Sequence, residues 1–250
     1  MTQKDATPFT EAANKTLLNE LNWEDTRDFE AAARGFIASL DEPVITSDDG
    51  RPAWNLAAYP FLEEETAPPS VNPSLWRISR LNALYHGLFQ VSDGIYQIRG
   101  FDLSVMSIIE TDTGYIVVDP LVTVPTAKAG MELVYHHLGR KPIVAVIYTH
   151  SHIDHWGGVK GVISEEDVRA GKVKVIAPEH FLEHAISENV IAGNVMSRRA
   201  SYMYGNLVPK GVKGQIGAGL GQTTSSGTPQ CRASPAAGRY LAAGTTGQGR

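Results

Sequence analysis

Four side chains that can donate an electron pair to a metal ion lie within six residues, in the stretch THSHIDHWGG. They are His150, His152, Asp154 and His155. Neutral imidazole and carboxylate groups suit zinc or iron. A lone histidine at a strand end is ordinarily a structural residue, but four donors at this spacing favour a metal site. Two neighbouring ions would lower the pKa of a shared water to about 7, which is chemistry for hydrolysis.

A buried strand must position these donors. The apolar run PIVAVIY, at residues 142–148, ends just before them, and alternate side chains of an extended segment share one face. His150, His152 and Asp154 can therefore point the same way. The glycines that follow His155 allow the backbone to turn sharply, which brings His155 alongside the other three.

The neighbouring segments alternate between strand and helix patterns, which predicts an α/β layered domain. Strands with SDG and DTG turns are expected between residues 87 and 120, and a helix over residues 126–138 with Gly139 as its end. KVKVIAPEH predicts another strand and a helix that begins at Pro178. Three apolar residues are expected to lie on one face of that helix: Leu182, Ile186 and Val190.

The rest of the chain is predicted to flank this domain. Residues 1–86 are expected to form a helical and loop extension packed on the core, residues 87–227 a partial domain, and residues 228–250 a disordered tail. Within the extension, residues 10–40 predict two short helices. The apolar face of the second helix is expected to comprise Phe29, Ala33, Phe36 and Ile37.

Composition narrows the function classes. The chain has 250 residues, 42% of them hydrophobic, and a net charge of −5 without a basic stripe, which argues against a nucleic acid or an anionic membrane as partner. The single cysteine, Cys231, excludes an intrachain disulfide and a cysteine-rich zinc site. The polar start MTQKDATPFT shows no signal peptide, so the chain as written is expected in the cytoplasm; a periplasmic or secreted location stays open for a full-length relative.

The metal-donor stretch resembles a known signature. THSHIDHWGG looks like that of the metallo-β-lactamase superfamily, and GYIVVDP is similar to the superfamily's earlier motif, whose aspartate is here Asp119. Longer flanks, APPSVNPSLWRISRLNALYHGLFQVSDGIYQIRGFDLS and SRRASYMYGNLVPKG, resemble the alkylsulfatases of this superfamily over about residues 51–227. The resemblance implies the N-terminal part of an αββα sandwich and hydrolysis of long-chain alkyl sulfate esters such as dodecyl sulfate.

The resemblance also implies roles for single residues. His150 and His152 would hold one zinc ion, and Asp154 and His155 a second, with Asp154 also orienting the attacking hydroxide. Asp119 would support a ligand histidine without touching metal. Tyr204 and Asn206 would lie on the substrate side, although a turn packed on the core explains them equally well. Members of the family form homodimers through a region that is not recognised here.

The remaining ligands of the family, carboxylates and a final histidine, lie downstream of the matched segment. Residues 189–250 contain no Asp or Glu, and the last histidine is His184. We therefore expect that the chain departs from the family near Gly227 or Thr228, as a truncated or frameshifted reading would, and that its turnover is impaired. Two alternatives are another superfamily hydrolase, such as a thioesterase or lactonase, and an inactive metal-binding fragment.

Overall fold

The structure is a computed structural model and describes residues 4–226; the tail from residue 227 onward, with Cys231, lies outside the described residues. The strands are β1 (Phe36–Ala38), β2 (Val44–Thr46), β3 (Pro52–Asn55), β4 (Gly87–Ser92), β5 (Ile95–Arg99), β6 (Met106–Glu110), β7 (Tyr115–Val118), β8 (Ile143–Ile147) and β9 (Lys174–Ile176). The helices are α1 (Pro8–Leu18), α2 (Arg27–Ala33), α3 (Pro73–Leu84), α4 (Val124–Leu138), α5 (Glu165–Arg169), α6 (Phe181–Ile186) and α7 (Gly193–Tyr204).

Seven of the strands form one sheet in the order β1-β4-β5-β6-β7-β8-β9. Strands β4 to β7 are an antiparallel meander, whereas β7, β8 and β9 are parallel to each other. Helix α4 makes the crossover from β7 to β8. The carboxyl ends of the three parallel strands meet at one edge of the sheet, which is where open α/β sheets bind ligands.

The predicted meander and crossover helix are confirmed. Asp93 and Gly94 turn the chain between β4 and β5, with Gly94 at a positive φ of 71°. In α4 the residues Ala127, Met131 and Val134 are buried, as the apolar stripe predicts. Gly139 ends this helix at φ 89°. These elements arise from local turn chemistry and from periodic apolar residues, both of which are visible in the sequence.

The helix predicted around Phe29 is shorter than expected. It ends at Ala33, and Phe36 and Ile37 lie in β1, which pairs with β4 at the edge of the main sheet. Gly35 causes the change, because its φ of 75° leaves the helical region. Its backbone oxygen also accepts a hydrogen bond from the Gln90 backbone nitrogen at 2.7 Å. Sheet pairing outside the local segment therefore overrides the helical pattern.

The predicted face of the helix after β9 is wrong. Helix α6 begins at Phe181 instead of Pro178, and Leu182, Ile186 and Val190 are exposed. Its buried residues are Phe181 and Ala185. The Phe181 ring stacks on Tyr148, with centroids 5.3 Å apart, so an aromatic contact with the chain after β8 sets the rotation of the helix.

Residues 41–73 cover the core, as predicted. The hairpin of β2 and β3 and the 3₁₀ turn at Pro60–Glu63 bury Trp54, Tyr59 and Leu62. Helix α3 follows, and its N-terminus is capped by Asn72, whose side-chain oxygen accepts from the Ser74 backbone nitrogen at 2.9 Å. No helix of the described residues is long and apolar enough to cross a membrane.

Candidate metal centre

The loop after β8 carries the four predicted donors, and the structure brings them together. The ring centroid of His150 lies 4.6 Å from that of His152 and 4.0 Å from that of His155. Asp154 Oδ2 lies 3.2 Å from His155 Nε2. Asp154 and His155 occupy a 3₁₀ turn at Ile153–His155. The tight turn therefore does what the spacing predicts, since it folds the last donor back onto the first.

Asp119 lies immediately after β7 and joins the two strand ends. Its Oδ1 accepts from the Thr149 backbone nitrogen at 2.8 Å, and its Oδ2 accepts from the Thr149 hydroxyl at 2.6 Å. The same Oδ2 lies 2.8 Å from His155 Nδ1. Because a carboxylate only accepts, Nδ1 of His155 donates to Asp119, and Nε2 of the same ring faces the Asp154 carboxylate at 3.2 Å. Asp119 thus orients the imidazole that faces the donor cluster.

The charges of this cluster favour a cation. Burial lowers the pKa of His155, but hydrogen bonds and charge from Asp119 and Asp154 outweigh burial and raise it to about 9. Burial raises the pKa of Asp119 and Asp154, yet contacts led by His155 leave both below the usual value. Both carboxylates are therefore ionised at neutral pH. The pKa of His150 is lowered by burial and by the neighbouring histidines, which keeps that ring neutral with a lone pair to donate.

Glycines let the donor loop pack directly on the chain after β7. A Cβ at Gly157 would lie 2.2 Å from the Val122 backbone oxygen, and a Cβ at Gly158 would lie 2.2 Å from the Pro120 backbone oxygen. The Gly158 nitrogen instead donates to the Leu121 backbone oxygen at 2.9 Å. Only glycine fits this contact, so the loop is held against Asp119 by its backbone.

The structure adds two residues that the sequence reasoning did not single out. Thr149, the first residue of the motif, bridges Asp119 and the Nδ1 atom of His150, which lies 2.9 Å from its hydroxyl. Glu188, in a π-helical turn between α6 and α7, places Oε1 3.0 Å from His152 Nε2. Its only signal in the sequence is that it is the last acidic residue of the chain.

The two predicted substrate-side residues differ in placement. Tyr204, at the end of α7, is half-buried, and its pKa is raised by burial and by the charge of Asp154. Asn206 is exposed. The pair Arg198 and Arg199 is also exposed on α7. Of these four, only Tyr204 is partly buried.

Two ligands of one tetrahedral zinc, each about 2.1 Å from the ion, lie roughly 3.4 Å apart. The 3.2 Å between Asp154 and His155 is close to that spacing. Among residues 4–226, however, no group of three or more His, Cys, Asp or Glu side chains is arranged to hold an ion. The described part of the chain thus offers fewer donors in one group than the three protein ligands that catalytic zinc usually has.

The chain is similar to several known proteins. The family model of the metallo-beta-lactamase superfamily matches residues 99–235, which is more than half of the chain. A linear primary-alkylsulfatase of Pseudomonas sp. is 56% identical over 228 residues, which are 91% of this chain and 34% of that protein. An alkyl/aryl-sulfatase of Saccharomyces cerevisiae is 48% identical over 90% of this chain and 35% of its own length.

A solved structure shows the same fold. The stereoselective inverting sec-alkylsulfatase of Pseudomonas sp. superposes with a TM-score of 0.85 at 47% sequence identity. The superposition covers 91% of this chain and 36% of that one. The chain therefore spans about a third of the length of the relatives it matches.

Proposed function

This chain belongs to the metallo-β-lactamase superfamily, and we propose that it serves the zinc-dependent hydrolysis of long-chain alkyl sulfate esters to an alcohol and inorganic sulfate. The observation that carries the proposal is the donor cluster of His150, His152, Asp154 and His155, supported by Asp119, in a chain similar to alkylsulfatases over nine-tenths of its length. A complete site would hold two zinc ions.

The metal ions would supply charge neutralisation for the sulfate oxygens and a water acidic enough to attack. The residues of this chain would hold and orient the groups around them. His150 and His152 would bind one ion, and Asp154 and His155 the other. Asp119 accepts from Nδ1 of His155, so Nε2 would be the nitrogen that binds the ion, once it has lost its proton. Asp154, ionised and beside His155, would accept a hydrogen bond from the attacking water.

Tyr204 is the candidate for contact with the substrate. Its phenol is the group on α7 that lies within electrostatic reach of Asp154, and a hydroxyl can donate to a sulfate oxygen. Asn206 is a weaker candidate because it is exposed on the turn after α7. A long alkyl ester offers little besides its sulfate for polar recognition, so one donor close to the metals would orient it.

Zinc affinity of the 250-residue chain tests the first step. Competition against a chromogenic chelator is measured for the wild type, for the double variant His150→Ala/His152→Ala, and for His136→Ala/His137→Ala. The second double variant is the matched control, since it removes two histidines in the last turn of α4. We expect the first double variant to weaken zinc binding at least tenfold and the control to leave it unchanged. Equal affinity in all three proteins would refute the metal site.

Sulfate release from dodecyl sulfate, kept below its micelle concentration, tests the reaction. A thioester of the same chain length serves as the competing substrate. Sulfate release that His152→Ala abolishes supports the proposal, whereas thioester hydrolysis alone would assign the chain to another hydrolase class. Zinc binding without either activity would identify the chain as a metal-binding protein without turnover.

A further inference from the structure

Glu188 lies where the helical layer meets the donor loop. It belongs to the π-helical turn Ser187–Ile191, and π turns are rare and frequent at functional sites. Its side chain is 20% exposed, whereas Val190 and Ile191 in the same turn are 73% and 79% exposed. The turn therefore directs the one carboxylate it contains inward while its apolar side chains face solvent.

Both oxygens of this carboxylate face the donor loop. Oε1 lies 3.0 Å from His152 Nε2, and Oε2 accepts a longer hydrogen bond of 3.5 Å from the Ser151 hydroxyl. The Ser151 backbone oxygen in turn accepts from Trp156 Nε1 at 2.9 Å. The Trp156 ring packs edge-on against Phe181 of α6, with centroids 5.9 Å apart. Aromatic packing thus holds α6, which leads directly into the turn that carries Glu188, against the loop that carries His152.

The contact decides which nitrogen of His152 is free. A carboxylate accepts hydrogen bonds and does not donate them, so Nε2 of His152 carries the proton and Nδ1 keeps the lone pair. In His155 the opposite nitrogen is held, since Nδ1 lies 2.8 Å from the Asp119 carboxylate. Two carboxylates from different elements therefore each hold a different ring nitrogen in two histidines of the same cluster.

We propose that Glu188 is a positioning residue that holds His152 in the tautomer with a free Nδ1 and thereby directs Nδ1 at the metal. The link to metal binding rests on the function proposed above, whereas the link between Glu188 and the His152 tautomer does not. A carboxylate hydrogen-bonded to the far nitrogen of a ligating imidazole fixes the ring orientation and raises its basicity, and losing such a partner typically costs about 10–100-fold in metal affinity.

The tautomer is read directly by two-bond nitrogen–proton correlation spectra of the chain labelled with ¹⁵N-histidine, without added metal. The spectrum of His152→Gln assigns the His152 signals. We expect Nε2-protonated His152 in the wild type, a tautomer mixture in Glu188→Ala, and partial retention in Glu188→Gln, whose amide oxygen still accepts. Glu183→Gln is the matched control, because Glu183 is an exposed acid of α6 that pairs with a different histidine, His180, at 3.0 Å.

Zinc affinity by chelator competition gives the second readout. Glu188→Ala should lose about 10–100-fold, Glu188→Gln less, and Glu183→Gln nothing. If His152 keeps the Nε2-protonated tautomer in Glu188→Ala, the inference is overturned whether or not zinc binds. If Glu188→Ala does not fold, Glu188→Gln with wild-type signals and affinity overturns it equally. If the wild type binds no zinc but its tautomer depends on Glu188, the proposed function fails while the pairing stands.

Discussion

Two segments meet at the carboxyl edge of the sheet and differ in how they are held. The donor loop, residues 149–161, is tied to the chain after β7 through Asp119 and through the close backbone contact of Gly158. The helical layer, residues 181–208, leaves Ile191 and Leu207 each 79% exposed. The layer reaches the cluster through single side chains, chiefly Glu188 and Tyr204.

This difference shows which part of the site depends directly on the sheet. The donors keep their places because backbone groups and a buried carboxylate surround them, so their arrangement depends on the folding of β7 and β8. The helical layer adds the Glu188 carboxylate beside His152 on top of that frame. Substitutions should therefore cost much stability in the loop and little in the layer, which four experiments examine.

The largest effect is expected for Asp119→Ala. This change removes the acceptor of two Thr149 groups and the more buried of the two carboxylates beside the His155 cation, which should cost about 3 kcal/mol in the free energy of unfolding. Urea denaturation measures the loss. Asp49→Ala is the control, since Asp49 pairs with Arg51 at the surface and should change the free energy of unfolding far less than Asp119→Ala does. Equal losses in the two variants would contradict the comparison.

The second-largest loss of stability is expected for Gly158→Ala. The new Cβ would overlap the backbone oxygens of Pro120 and Thr123, so the loop must shift, at a cost of about 2 kcal/mol. Gly193→Ala, at the start of α7, is the matched control because nothing lies within 4 Å of its Cβ position. We expect the control to be neutral or slightly stabilising, as alanine is in a helix. Thermal unfolding of both variants measures the change in stability, and an unchanged stability of Gly158→Ala would refute the close packing.

A smaller, pH-dependent effect is expected at Asp102, which is buried beneath the segment after β7. Burial raises its pKa above 3.8, against hydrogen bonds from Ser225, Leu103 and Val122. A carboxyl whose folded pKa is raised favours the folded state while it is protonated, and that stability is lost as pH rises from about 4 through the folded pKa. Wild type should therefore lose stability relative to Asp102→Asn as pH increases over this range, measured by urea denaturation. An identical pH profile of the two proteins would count against a raised pKa.

The smallest effect is expected for Ile191→Ser in the helical layer. Because this side chain is 79% exposed, the free energy of unfolding should change by less than about 0.5 kcal/mol. Removal of an exposed apolar side chain should also reduce self-association, which light scattering measures. A loss above 1 kcal/mol would show that the layer is held as firmly as the loop and would remove the contrast between them.

Much of the fold follows from local patterns. The turns at Asp93–Gly94 and before Gly114, and helix α4 with its end at Gly139, form as their residues predict. The failures involve partners far away in the chain. Phe36 pairs with β4, and Phe181 packs on Tyr148, contacts that no window of neighbouring residues contains.

The candidate site likewise has one part that local patterns predict and another that depends on contacts between residues far apart in the chain. The spacing of the motif predicts that His150, His152, Asp154 and His155 cluster, because a strand end and a tight turn bring near neighbours together. The part played by Glu188 is not predicted, since it depends on the rotation of α6 and on a π turn. The sequence predicts the same substrate-side role for Tyr204 and Asn206. Only the structure shows that the phenol, at the end of α7, is half-buried and that the amide after it is exposed.

The sequence by itself determined which metal-donor groups cluster, since donor identity and spacing are local properties of six residues. It also determined most of the succession of strands and helices around them. The tertiary structure alone decided which carboxylate each imidazole faces, Asp119 for His155 and Glu188 for His152. The reason is physical: hydrogen bonds act over about 3 Å, and only packing brings residues 36 positions apart, such as Asp119 and His155, within that reach.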